Sequence, residues 1–81
     1  MITIRLFARL REQIGISQLQ WPLDESIAVS ALVKQLMDAN GMWRHVAEHQ
    51  VLCALNHQHV TFNAEVKPGD ELAFFPPVTG G

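Results

Sequence analysis

Ile2, Ile4, Leu6 and Ala8 alternate with Thr3, Arg5 and Phe7. Period two predicts a strand over residues 2–8 with one buried face and one mixed face. "RLREQIG" then turns polar and closes on Gly15, as a turn or a short helical turn would. Alternation resumes in "ISQLQWPL", residues 16–23, with Ile16 against Ser17 and Leu19 against Gln20. Pro22 places that strand at a sheet edge, because proline cannot donate to a ladder. The period then changes. Val29, Leu32, Val33, Leu36 and Met37 follow the 3-1-3-1 spacing of an amphipathic helix. Asp24, Glu25 and Ser26 offer acidic or capping groups near its start, and Asn40-Gly41 offers a left-handed stop. "MWRHVAEH" adds a shorter second helix.

"VLCALN", residues 51–56, is apolar on both faces and predicts an inner strand. "NHQH" is a turn, "VTF" a short edge strand, and Pro68-Gly69 suits the centre of a type II turn. "ELAFF", residues 71–75, is the last strand, with Leu72 and Phe74 on one face and Ala73 and Phe75 on the other. The order β-β-α-(short α)-β-β-β is an α+β pattern: a mixed sheet with one main helix packed on one face. The first and last strands each carry an apolar buried side, so they lie next to each other. That arrangement is the ubiquitin-like β-grasp. Residues 1–75 form the domain, and residues 76–81 form an extended C-terminal tail.

Eighty-one residues allow one small domain and one core. A hydrophobic fraction of 48% against 17% charged fits a globular chain and argues against disorder. The net charge of −2 provides no broad basic surface, so nucleic acid is not an expected partner. No apolar run approaches a membrane span, and Arg5, Arg9 and Arg11 interrupt the N-terminus before a signal-type segment can form. The expected location is the cytoplasm, with no membrane partner.

Candidate chemistry inside the domain is sparse. Cys53 is the only cysteine and sits in an apolar run, which reads as a buried core residue. His45 and His49 share a helical spacing, and His57 and His59 fall in the "NHQH" turn. They read as solvated surface groups; no zinc-ligand pattern joins them, and no metal is expected. Phosphate-loop, dinucleotide and nucleophile-elbow motifs are absent. Phe7 and Phe75 remain, both on the face opposite the helix, accompanied by Arg5 and Ala73. Two aromatics on adjacent strands form a patch that marks a partner surface.

The chain ends "FFPPVTGG". Phe75 precedes a proline and is held extended. Pro76 and Pro77 end the ladder and favour an open polyproline path. The stretch from Pro76 through Val78 and Thr79 to Gly81 spans ~20 Å. Gly80 and Gly81 carry no Cβ and can pass through a narrow slot. The tip is a carboxylate held away from the body, inert until another protein activates it as a mixed anhydride.

Those residues carry a resemblance over the whole chain. "LFARLRE", "AVSALVKQLM", "LCALN", "KPGDELAFFPPV" and the terminal "TGG" make it similar to the small, sulfur-carrying subunits of molybdopterin synthases. Ala28 stands where those sequences often have a capping Thr, a change expected to weaken the helix start by ~1 kcal/mol. The resemblance implies that an adenylating enzyme related to ubiquitin-activating enzymes spends ATP on the Gly81 carboxylate. A sulfur donor then converts the acyl adenylate to a thiocarboxylate. The tail, Pro76 to Gly81, inserts into the large synthase subunit and delivers sulfur to cyclic pyranopterin monophosphate. The assembly would be a heterotetramer with two copies of each subunit. The chain would bind no cofactor and would not be an enzyme on its own, the catalytic pocket belonging to the large subunit. Phe7 and Phe75 would centre the large-subunit contact, with Arg11 at its rim. The same tip would also serve a carrier for thiamine or tRNA thiolation, a ubiquitin-like protein modifier, or, with an idle tail, a plain binding module.

Overall fold

The computed structural model describes residues 1–47 and 51–77. The elements in chain order are β1 (Ile2–Leu6), α1 (Ala8–Ile14), β2 (Gln18–Trp21), β3 (Ile27–Ala28) and α2 (Val29–Ala39). A 3₁₀ helix (Gly41–Ala47), β4 (Leu52–Leu55), β5 (Gln58–Val60), β6 (Glu65–Val66) and β7 (Glu71–Phe75) follow. Five strands form one mixed sheet in the order β2-β1-β7-β4-β5, and β3 pairs with β6 in a separate two-stranded ribbon. The first and last long strands lie side by side as expected, parallel, with Thr3 opposite Glu71 and Leu6 opposite Phe74. This is the β-grasp arrangement.

Alternation along the strands decides which side the helix covers. Ile2, Ile4 and Leu6 of β1 and Leu72 and Phe74 of β7 are all buried. They meet Val29, Leu32, Val33 and Leu36 of α2, which are buried too. Each such side chain contributes roughly 1.5–3 kcal/mol of burial. Trp43 and Val46 of the 3₁₀ helix, Leu10 of α1, Val51, Cys53 of β4 and Val66 of β6 complete the core among the described residues.

β1 is shorter than the alternation indicates. It stops at Leu6, because Ala8 adopts φ 52° and opens α1 rather than continuing the strand. Phe7 keeps an extended backbone (φ −126°, ψ 157°), so its outward direction survives. α1 ends at Gly15, whose φ of 93° and N–H bond to the Arg11 carbonyl form a left-handed cap.

The termini of α2 differ from expectation. Asp24, Glu25 and Ser26 do not cap it, since the two residues of β3 intervene and the N-cap is Ala28, with no side-chain bond. The first-turn donors find backbone acceptors instead. Val29 N–H bonds the Ala64 carbonyl and Ser30 N–H the Phe62 carbonyl, both at 2.9 Å. Ser30 N–H, one of the donors that a capping side chain would satisfy, is thus already paired. Asn40 is not left-handed either; it is extended at φ −155°. Its Oδ1 accepts from Met42 N–H at 2.9 Å, so it starts the 3₁₀ helix rather than merely stopping α2.

The β4–β5 connection is tighter than "NHQH" implies. Leu55 pairs with Gln58, leaving only Asn56 and His57 in the turn, at φ 50° and 71°. Two left-handed residues give the primed turn that matches strand twist. Gln58 and His59 are therefore strand residues, and "VTF" contributes only Val60 to β5. Pro68-Gly69 forms the expected type II turn: Asp70 N–H reaches the Lys67 carbonyl at 3.0 Å, and Gly69 has φ 93°. Among the described residues no helix is long and apolar enough to cross a membrane.

Candidate functional site

The register of the large sheet defines the side chains on its outer face. One row runs Gln18, Arg5, Ala73, Ala54, His59 across β2, β1, β7, β4 and β5. The next pairs Phe75 with Leu52. Phe7 stands just past β1 on the same side, its N–H bonded to the Phe74 carbonyl at 3.3 Å. Phe7 and Leu52 are 41% and 38% exposed, large apolar groups left uncovered on one face. Phe75 is half-buried and meets the His59 ring edge-to-face, with centroids 5.3 Å apart at 86°. The Arg5 guanidinium carbon lies 5.4 Å from the centre of the Phe7 ring, which keeps a cation at the rim of the patch.

The structure thus brings Phe7 and Phe75 to the same face. Arg11 is exposed on α1, the helix that Phe7 opens. Pro76 and Pro77 follow β7 directly and are half-buried, with no strand structure. Val78, Thr79, Gly80 and Gly81 lie outside the described residues, as does His49. Leu52 and His59 are the patch members that sequence reasoning missed. A strand apolar on both sides reads as inner, yet its outward residue stays uncovered once β4 takes its place. His59 falls in the "NHQH" stretch that reads as a turn, and only the two-residue turn length moves it onto the sheet.

Other groups of chemical interest lie elsewhere. Cys53 is buried, its Sγ–H donates to the Val60 carbonyl at 3.4 Å, and burial pushes the thiol upward in pKa. A protonated, hydrogen-bonded thiol is a poor nucleophile. His57 sits 3.7 Å from Glu71 at the end of the sheet remote from the tail. Among the described residues no three His, Cys, Asp or Glu side chains converge as a metal site would require. A groove of about 510 Å³ beside α2, lined by Val33, Met37, Val51 and Phe62, opens on the helix side.

A mixed sheet clasping one main helix, with apolar side chains left uncovered on its outer face, defines a ubiquitin-like β-grasp domain. The chain belongs to the ThiS family, whose model matches residues 4–81. It is 37% identical over 83 residues to the molybdopterin synthase sulfur carrier subunit of Haemophilus influenzae, covering all of both chains. SAMP1 from Haloferax volcanii superposes with a TM-score of 0.80 at 28% identity, over 99% of this chain and 98% of that one. The fold also matches a chain from the complex of subunits 1 and 2 of the Helicobacter pylori molybdopterin-converting factor. There the TM-score is 0.65 at 22% identity, with 99% and 97% coverage.

Proposed function

We propose that this chain is the sulfur carrier of a molybdopterin synthase. The 37% identity to the Haemophilus molybdopterin synthase sulfur carrier subunit, over all of both chains, carries the reading. The family match over residues 4–81, which includes the Gly-Gly end, supports it. An activating enzyme transfers AMP from ATP to the Gly81 carboxylate, releasing pyrophosphate. A sulfur nucleophile displaces AMP and leaves a thiocarboxylate. The tail from Pro76 to Gly81 carries that sulfur into a pocket of the large subunit, where it attacks the pyranopterin precursor. The acyl bond so formed is hydrolysed, which returns the carboxylate. Phe7 and Phe75 form the apolar centre of the contact and Arg11 its rim. The acids and bases of the reaction belong to the large subunit, and two copies of each subunit assemble.

Intact mass spectrometry of the protein isolated from cells tests this reading. The expected result is a gain equal to replacement of one oxygen by sulfur at the C-terminus. A carrier that never acquires the shift in cells making molybdenum cofactor would sink it.

A second reading draws on the likeness to SAMP1, a small archaeal modifier protein. The same activated tip could be captured by a lysine amine. Ladders of this chain on other proteins, joined through Gly81, would favour that outcome over sulfur transfer.

A further inference from the structure

We propose that Asn40-Gly41 is a self-modification site that the fold holds in check. The Gly41 backbone nitrogen attacks the Asn40 side-chain amide when the joint between α2 and the 3₁₀ helix opens. The site does not depend on what the tail carries.

The backbone does not demand glycine at position 41. Gly15 and Gly69 are left-handed, but Gly41 is not, and a Cβ there would meet nothing within 4 Å. What this glycine leaves is an unshielded main-chain nitrogen directly after an asparagine. Asn40, Gly41 and Met42 are all exposed, so water and base reach the pair.

The reaction closes a ring. The Gly41 nitrogen bonds to Asn40 Cγ and gives up its proton, and the side-chain nitrogen leaves as ammonia. The product is a five-membered imide. Ring closure needs the Gly41 nitrogen on the Cβ side of the Cα–C bond, which puts the Asn40 ψ near about −120°, outside the main allowed regions. The structure holds that ψ at 118°. Three bonds keep it there. Asn40 N–H donates to the Leu36 carbonyl at 2.9 Å, and Trp43 N–H to the Asn40 carbonyl at 3.1 Å. Met42 N–H donates to Asn40 Oδ1 at 2.9 Å. Turning ψ breaks the last two and drags on Trp43, a core side chain only 3% exposed. Local opening of this joint therefore gates the chemistry.

Water then opens the imide at one of its two carbonyls, with opposite consequences. Cleavage of the Cγ–N bond gives aspartate with a normal main chain. Its carboxylate still accepts from Met42 N–H and adds a negative charge at the start of a helix, where such a charge is favoured. Cleavage of the bond between the nitrogen and the main-chain carbonyl gives isoaspartate. The chain then runs through Cγ and is one atom longer. The carbonyl that Trp43 N–H uses becomes a carboxylate on a side branch, and Trp43 loses its anchor.

The test incubates the full-length protein in mildly alkaline buffer, native and unfolded in urea, and follows residue 40 by peptide mapping with mass spectrometry. The expected signal is the gain in mass when –NH₂ becomes –OH, with aspartate and isoaspartate resolved by chromatography. Native protein should react at least about tenfold more slowly than unfolded protein, because the joint must open first. Gly41→Ala, its fold verified by circular dichroism, should react at least about fivefold more slowly than wild type in urea, since a Cβ crowds the attacking nitrogen. The purified isoaspartate form should unfold at a lower urea midpoint than wild type, and Asn40→Asp at the wild-type midpoint. A native rate less than about tenfold below the urea rate overturns the inference. So does an absent mass gain at residue 40 in urea, an unslowed Gly41→Ala, or a wild-type midpoint for the isoaspartate form.

Discussion

The amide of Phe7 donates to the carbonyl of Phe74 across 3.3 Å, one step past the last paired residue of β1. The bond holds the backbone of Phe7 beside the strand that leads into the tail, while its ring stays uncovered. Position is thus fixed by the main chain and contact is left to the side chain. Phe7→Ala removes the contact and keeps the position. It should weaken association with the large subunit by ~1–3 kcal/mol and leave the melting curve almost unchanged. Phe75→Ala should weaken association similarly and also cost some stability, since Phe75 is half-buried against His59. Titration of each variant with large subunit, alongside thermal denaturation, measures both effects. Native affinity in both variants would move the interface elsewhere.

The length of the tail sets where the reactive carbonyl sits. Deleting Gly81, or adding a residue after it, shifts the reactive carbonyl by ~3.5 Å. A misplacement of ~1 Å can already cost ~100-fold in rate. Both variants should fold normally and fail to convert the pyranopterin precursor when supplied as thiocarboxylates with large subunit. Gly81→Ala keeps the length and adds one methyl, so it should be less impaired than the deletion. Full turnover by the shortened carrier would exclude the tip as the reacting group.

Cys53 should be dispensable for sulfur loading. Cys53→Ser buries a hydroxyl in place of a thiol and should cost ~1–2 kcal/mol, even with the Val60 carbonyl available as acceptor. Loss of loading in a folded Cys53→Ser protein would contradict the assignment. The thiol also predicts a pH effect. Its folded pKa is raised from the ordinary 9.0 by burial, so its contribution to stability is fully present below that value. That contribution is lost as pH rises through the higher folded value. Urea midpoints should fall above about pH 9 in wild type and fall less steeply in Cys53→Ala.

Asn56 ties two turns together. Its N–H bonds the Glu71 carbonyl at 2.8 Å and its Oδ1 accepts from Glu71 N–H at 2.9 Å. Its Nδ2 donates to Asp70 Oδ1 at 3.0 Å, while the other Asp70 oxygen accepts from Lys67 N–H at 2.8 Å. Asn56→Ala loses both side-chain bonds and retains a φ of 50° that alanine tolerates poorly, so ~2 kcal/mol of stability should go. Asn56→Asp should be worse near neutral pH, because it sets a second carboxylate against Asp70. Urea titration of the two variants checks the order.

Much of this architecture was legible in the residues. Period two exposed β1 and β7, and the 3-1-3-1 spacing exposed α2, because each buries one side over several residues. Pro68-Gly69 was legible because a type II turn demands those backbone angles. The β3–β6 ribbon was not, since Ile27–Ala28 and Glu65–Val66 are too short to show a period. Nor was the start of α2, whose donors are satisfied by the carbonyls of Phe62 and Ala64, more than thirty positions away. Of the candidate site, Phe7 and Phe75 followed from parity alone. Leu52 and His59 needed the register across β4, β5 and β7, which a local pattern does not contain.

The parallel pairing of β1 with β7 has a mechanical consequence. Chain entry lies beside Glu71, and the tail departs from the opposite end of the same pair, at the middle of the sheet. A tug on the tail pulls β7 lengthwise between β1 and β4. The bonds on both flanks are then strained together, in shear, rather than unzipped one after another from an edge. A load applied at the end of β7 would reach both flanking strands at once, and the sheet would resist it as a unit.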